Sequence, residues 1–285
     1  MSVGPLEVIA IIAGTALAAL LVVRSRSVGD QAADAWAADA GIGLTDRTRP
    51  TLVRYLRWVR RGRALGAAVG ALAGVVVTVS VADAGELGDN VFPAALLGYL
   101  LGAILAEVTF RSARGEGAAV LLPRRLQDYE PRSLRIILRL QALLAVGLFV
   151  AYANTSLPQK GHPAPTLLAY GVLSAFAVAV AVATELLQRA VVNRPQRVTG
   201  EDELVLDDAL RSSGVRVLAG AAIGILLLVL SAEGSMFSLL LAEDHPANGL
   251  FFALALLMFF GAIGTWLRLK RPHGFRVGRS LEAAA

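Results

Sequence analysis

The run PTLLAYGVLSAFAVAVAVATELL at residues 165–187 decides how the rest of the chain is read. Its only charged side chain is Glu185, and Arg189 stands two residues beyond its end. As a helix rising 1.5 Å per residue it would extend roughly 34 Å, enough to cross a hydrocarbon core of about 30 Å. A buried element of a soluble domain rarely needs so long an unbroken apolar run. Working outward, six more runs of this kind occur, so the predicted spans are 5–23, 64–82, 92–110, 134–153, 165–187, 215–232 and 250–266. The predicted fold class is therefore all-α integral membrane: one seven-span helical bundle covering 1–280, with 281–285 read as a cloning remnant.

Composition points the same way. The 285 residues are 56% hydrophobic and 17% charged, with a mean hydropathy of +0.63. There is no cysteine, which removes disulfides, thiolate nucleophiles, Cys-ligated zinc and iron–sulfur clusters. The net charge of +5 does not predict a nucleic-acid partner, because the basic residues flank apolar runs instead of forming a basic domain.

The placement of those residues sets the expected orientation. Lys and Arg number nine within 24–63, seven within 111–139, five within 189–216 and five from 268 onward, leaving Lys160 alone on the opposite side. The opposite loops carry Asp83, Glu86, Asp89, Glu233, Glu243 and Asp244 instead. The positive-inside rule then predicts an outside N-terminus and a cytoplasmic C-terminus, which requires an odd number of spans. The first run is read as a retained span, not a secretory signal, because no basic residue precedes it and Arg24 and Arg26 follow it.

Several patterns suggest internal organisation. Glu107 precedes Arg111 by four residues and Glu185 precedes Arg189 by four, while Asp128, Arg132 and Ser133 match Asp207, Arg211 and Ser212. Taken as duplication, the matches predict a parallel repeat of helical hairpins; taken as coincidence in an Ala- and Leu-rich chain, they predict nothing. Gly66, Gly70 and Gly74 share one face of the second span, Gly98 and Gly102 one face of the third, and Gly220 and Gly224 one face of the sixth. Small residues at this spacing let helix backbones approach closely, either inside the bundle or at an oligomer seam.

Residues 50–61 place Leu52, Tyr55, Leu56 and Val59 on one helical face, with Trp58 in the same helix and Arg54, Arg57 and Arg61 turned away. The expectation is a helix lying in the cytoplasmic interface and touching anionic lipid, with a cytoplasmic partner as the alternative.

Glu107 and Glu185 are the candidate functional carboxylates, since charge inside a membrane segment is costly. Two readings are open: pairing with the arginine one turn away, or a relay that exchanges a proton or cation. His162, His245 and His273 lie far apart without metal-ligand spacing. No lysine lies inside the last predicted span for a retinal Schiff base, Lys270 falling beyond it. Gly-x-Ser-x-Gly, His-Glu-x-x-His and Walker patterns are missing from the sequence. No enzyme activity, catalytic residue, metal or cofactor is expected. Asn154-Thr155-Ser156 matches a glycosylation sequon by spacing alone.

The stretch from Thr184-Glu185 through Arg194-Pro195-Gln196-Arg197 to Asp207-Asp208-Ala209-Leu210-Arg211-Ser212 resembles a loop of uncharacterised polytopic membrane proteins of actinobacteria. The resemblance covers about 40 residues and implies a transport setting in a bacterial cytoplasmic membrane, with no functional residue to carry over. The predicted function is a membrane subunit of a transport or export system energised by a separate partner such as an ATPase. The alternative is a scaffold or sensor that binds another membrane protein or lipid.

Overall fold

The computed structural model describes residues 29–81, 87–110, 125–154, 167–194, 200–240 and 246–270, with side chains at all of these but 78–81, 87–90, 239, 240 and 246. Among them the chain forms seven α-helices and no strand: α1 (Asp30–Ala40), α2 (Arg49–Val81), α3 (Leu87–Thr109), α4 (Arg132–Asn154), α5 (Leu167–Val192), α6 (Glu201–Leu240) and α7 (Pro246–Leu269). A single 3-10 turn (Leu126–Asp128) leads into α4. Five helices, α3 to α7, are long and apolar enough to cross a membrane. The first predicted span, 5–23, lies outside the described residues. The second lies in α2, whose apolar half follows directly on Arg60, Arg61 and Arg63; α2 is not among those five.

The helices pack as antiparallel neighbours around α6. Gly220 of α6 faces Leu269 of α7 and Gly234 faces Ala255, a descending register. On the α5 side Gln188 reaches Val215 and Ser174 reaches Glu233, again descending. Burial shows which helix is central: 72% of α6's most apolar window is covered, against 33% in α3 and α5 and 17% in α4 and α7. The peripheral helices turn large apolar side chains outward, among them Val69, Leu143, Leu168, Leu257 and Phe260. In water that surface would be an aggregation hazard, whereas in acyl chains it is solvated.

Among the described residues the apolar side chains form two larger cores and a small third cluster of Val191, Val192, Val215 and Leu218. The larger, with Leu100, Ala145, Ala177, Leu226 and Leu230 at its centre, fills the bundle. The smaller lies where α1 crosses the start of α2: Ala33, Trp36, Ala37 and Ala40 cover Leu52, Tyr55 and Val59, and Ala106, Phe110, Leu206 and Leu210 complete it. The helix α1 ends at Gly41, whose φ of 71° suits a residue without Cβ and whose N–H caps the open carbonyls of Ala37 and Ala38.

The smaller core corrects the expected interfacial helix. Residues 50–61 are the first turns of α2, continuous with the second predicted span, and Leu52, Tyr55 and Val59 are buried against protein, not lipid. Leu56 is half-buried and Trp58 is 46% exposed, its indole N–H donating to the Ala106 carbonyl at 3.1 Å. An amphipathic face alone does not say whether lipid or another helix covers it. A second correction concerns the sixth span: α6 runs on to Leu240, so Glu233 is a fully buried helix residue instead of part of an external loop.

The glycines join α2 to α3 along their backbones. A Cβ at Gly66 would lie 2.8 Å from Gly102 Cα, one at Gly70 would lie 3.0 Å from Gly98 Cα, and one at Gly62 would strike Ala106 Cβ at 2.6 Å. Gly62, Gly66, Gly70, Gly98 and Gly102 thus lie in the contact between α2 and α3. Gly74 is buried in the same helix, and Gly224 approaches Leu100 and Ala262 from α6.

A buried carboxylate cluster at the basic end of the bundle as candidate functional site

The last turns of α3 carry Glu107 between the smaller core and the Val191 cluster, where it is only 4% exposed. Its sequence neighbourhood explains the position: Gly98, Gly102 and Ala106 draw this face of α3 tightly onto α2, which brings Tyr55 opposite. The Tyr55 hydroxyl donates to Oε1 at 2.9 Å and to Oε2 at 3.1 Å. Burial, then the adjacent carboxylate, holds this hydroxyl well above its ordinary pKa, so Tyr55 remains a donor at any physiological pH. On the far side α6 presents Gly214, where a Cβ would lie 3.2 Å from Glu107 Oε2.

Arginines with partners of their own stand around this carboxylate. Arg194 donates to the carbonyls of Phe110 (2.6 Å), Glu107 (3.2 Å) and Val108 (3.3 Å), capping the end of α3. Arg211 pairs through Nε with Asp207 at 2.7 Å and donates from Nη1 to the carbonyls of Val192 (2.8 Å) and Arg194 (2.7 Å), capping α5. Its Nη2 is buried with no hydrogen-bond partner. Arg63 lies within electrostatic reach of Glu107 and stacks on Trp266 at 5.0 Å. A cavity of about 20 Å³ lined by Tyr55, Glu107, Arg194, Asp207, Arg211 and Gly214 lies between these groups, which is room for one water.

The second sequence candidate behaves differently. Glu185 accepts two hydrogen bonds from Arg139 across the α4–α5 contact, at 2.6 and 3.0 Å, while Arg189, four residues on, is 3.9 Å away. The Arg139 side chain is 62% exposed, so this is a surface pair worth at most about 1 kcal/mol. The expected i,i+4 contact is present but secondary. The matching partner of Glu107, Arg111, lies outside the described residues.

Two buried carboxyls were not singled out from the sequence. Glu130, just before α4, accepts a hydrogen bond from Gln188 at 2.9 Å and lies 4.0 Å from the Arg135 Nε. Burial pushes its carboxyl up to about 7 against the opposing pull of Gln188 and Arg135. Glu233 lies at the other end of α6. Neither has a local pattern that marks it, since Glu130 sits in a polar loop and Glu233 one residue past an apolar run. The matched positions of the possible duplication also diverge: Asp207 pairs with Arg211, whereas Asp128 accepts from the Arg125 N–H and Arg132 donates to Gln127. Arg194, Asp207 and Arg211, in contrast, come together, although the stretch of sequence that contains them offered no role for any of them.

Among the described residues no group of His, Asp and Glu is arranged to hold a metal ion. Comparison with family models, with curated proteins and with solved structures finds no match, so function rests on this chain's own chemistry.

Proposed function

We propose that the chain is the membrane subunit of a bacterial transport or export system energised by a separate partner, with Glu107 as a proton or cation relay on the cytoplasmic side. In this reading the bundle has seven spans, an outside N-terminus and a cytoplasmic C-terminus in the cytoplasmic membrane. The basic loops form the coupling surface, and the exposed Arg54, Arg57, Arg60 and Arg61 face anionic headgroups. Hairpin duplication is not needed for it.

The observation that carries the proposal is a carboxyl buried in an apolar helix, beside a water-sized cavity, held by a phenol and approached by arginines already committed elsewhere. A carboxylate kept only for stability is better served by a direct ion pair of the Glu185 kind, because a lone buried charge costs several kcal/mol. Such a site changes protonation with small changes in the distance to Arg63 or Arg194. A scaffold or sensor remains the second reading, favoured by the second apolar core, which makes a rigid platform of α1, α2 and α6 at the basic end.

Co-purification of the full chain from native membranes should recover a nucleotide-hydrolysing or ion-coupled partner. In that assembly Glu107→Gln should abolish coupled activity without releasing the partner, and Glu185→Gln should leave it near the wild-type level. Recovery of the intact chain with lipid alone overturns the transport reading in favour of the scaffold, and full coupled activity in Glu107→Gln overturns the relay.

A further inference from the structure

The far end of α6 holds a carboxyl that the proposed relay does not use. Glu233 is fully buried, 19 residues beyond Gly214 and so roughly 28 Å along the helix from the Glu107 cluster. Ser174 Oγ of α5 lies 3.0 Å from Glu233 Oε1 and 3.1 Å from the Ala145 carbonyl oxygen of α4. Tyr170 donates to the backbone carbonyl of Glu233 at 3.0 Å and leaves the carboxyl itself unsolvated. Glu233 Oε2 is buried with no hydrogen-bond partner.

Hydrogens can be counted at this site. Ser174 has one O–H, and both oxygens beside it, a carbonyl and a carboxylate, would be acceptors only. With Glu233 ionised, one of the two short contacts would set lone pair against lone pair. A full negative charge would also sit in an apolar interior. Among the described residues the titratable neighbours are the phenols Tyr170 on α5 and Tyr152 on α4. Among the described side chains, the charged residue of α7, Arg268, and that of α3, Glu107, belong to the opposite end of the bundle, as does Lys270 just beyond α7. With Glu233 protonated, its O–H donates to Ser174 Oγ and Ser174 donates to Ala145, so each short contact contains one hydrogen. We infer that Glu233 and Ser174 form a proton-binding site between α4, α5 and α6, and that the proton is bound at neutral pH. The inference is independent of Glu107 and of whether the chain transports anything.

Infrared difference spectroscopy on the full chain in lipid vesicles reads the proton directly. Wild type minus Glu233→Gln at neutral pH should show a protonated-carboxyl C=O band that shifts in deuterated water, with no loss of carboxylate intensity. The amide keeps a donor for Ser174, so the variant is expected to fold. Ser174→Ala retains the carboxyl and should move the same band to higher frequency, which identifies it even if Glu233→Gln misfolds. A difference spectrum that shows loss of carboxylate instead, no band shift in Ser174→Ala, or a carboxylate signal that appears when sodium is added at fixed pH would overturn the inference; the last would make the ligand a metal cation.

Discussion

At the residue scale, Glu107 and Glu185 show how one local pattern meets two environments. Each is followed by arginine four residues later, yet Glu185 turns to Arg139 on a half-wetted helix contact and Glu107 turns inward to Tyr55. The difference comes from neighbours far away in the chain, which four-residue spacing cannot encode. Glu130 gives a measurable consequence of such burial. Its folded pKa of about 7 is above the ordinary carboxyl value of 4.5, so between these pH values the folded state binds more protons than the unfolded one. The stabilisation is fully present below about 4.5 and is lost as pH rises through 7. The groups facing it are Gln188, Arg135, Arg216 and Glu185. Glu130→Gln should flatten this part of the stability profile in detergent. The expected wild-type decline relative to the variant is of the order of 5 °C in Tm from pH 4.5 to pH 7.5, and parallel profiles would mean that Glu130 is ionised throughout.

At the scale of elements, α2 joins two environments in one helix. Its first turns are amphipathic and protein-covered; its later turns are apolar and glycine-rich. A seam of backbone contacts with α3 runs through Gly62, Gly66 and Gly70, where dispersion between close backbones replaces the missing hydrophobic drive. Gly70→Leu must push α3 away from the Ala94 carbonyl and Gly98 Cα, at a cost of about 3 kcal/mol or more. Gly147 of α4 is the control, since a Cβ there meets nothing within 4 Å. Thermal unfolding in detergent should show a clear loss of Tm in Gly70→Leu and little change in Gly147→Leu. Equal behaviour would place the seam elsewhere.

At the scale of the whole molecule, the basic side chains of the described helices gather at the end where Glu107, Glu130 and the second core lie, and Glu233 occupies the other. A reporter fused after Arg279 should read as cytoplasmic and one at the N-terminus as external; an external signal at Arg279 would remove one span from the proposed count.

Run length alone makes the chain legible as helical and membrane-embedded, because hydrocarbon admits long apolar helices whose backbones bond internally, whatever the fold. Local spacing also made the Gly66–Gly70 and Gly98–Gly102 stripes legible, since a helix places every fourth residue on one face. Tertiary structure decided what those faces meet: α1 over Leu52 and Tyr55, Arg139 at Glu185, and Ser174 at Glu233. It also assembled Arg194, Asp207 and Arg211 around the Glu107 cavity. Burial of a polar group depends on which helices lie beside it, and the same amphipathic pattern serves lipid, solvent or a neighbouring helix equally well until the bundle closes.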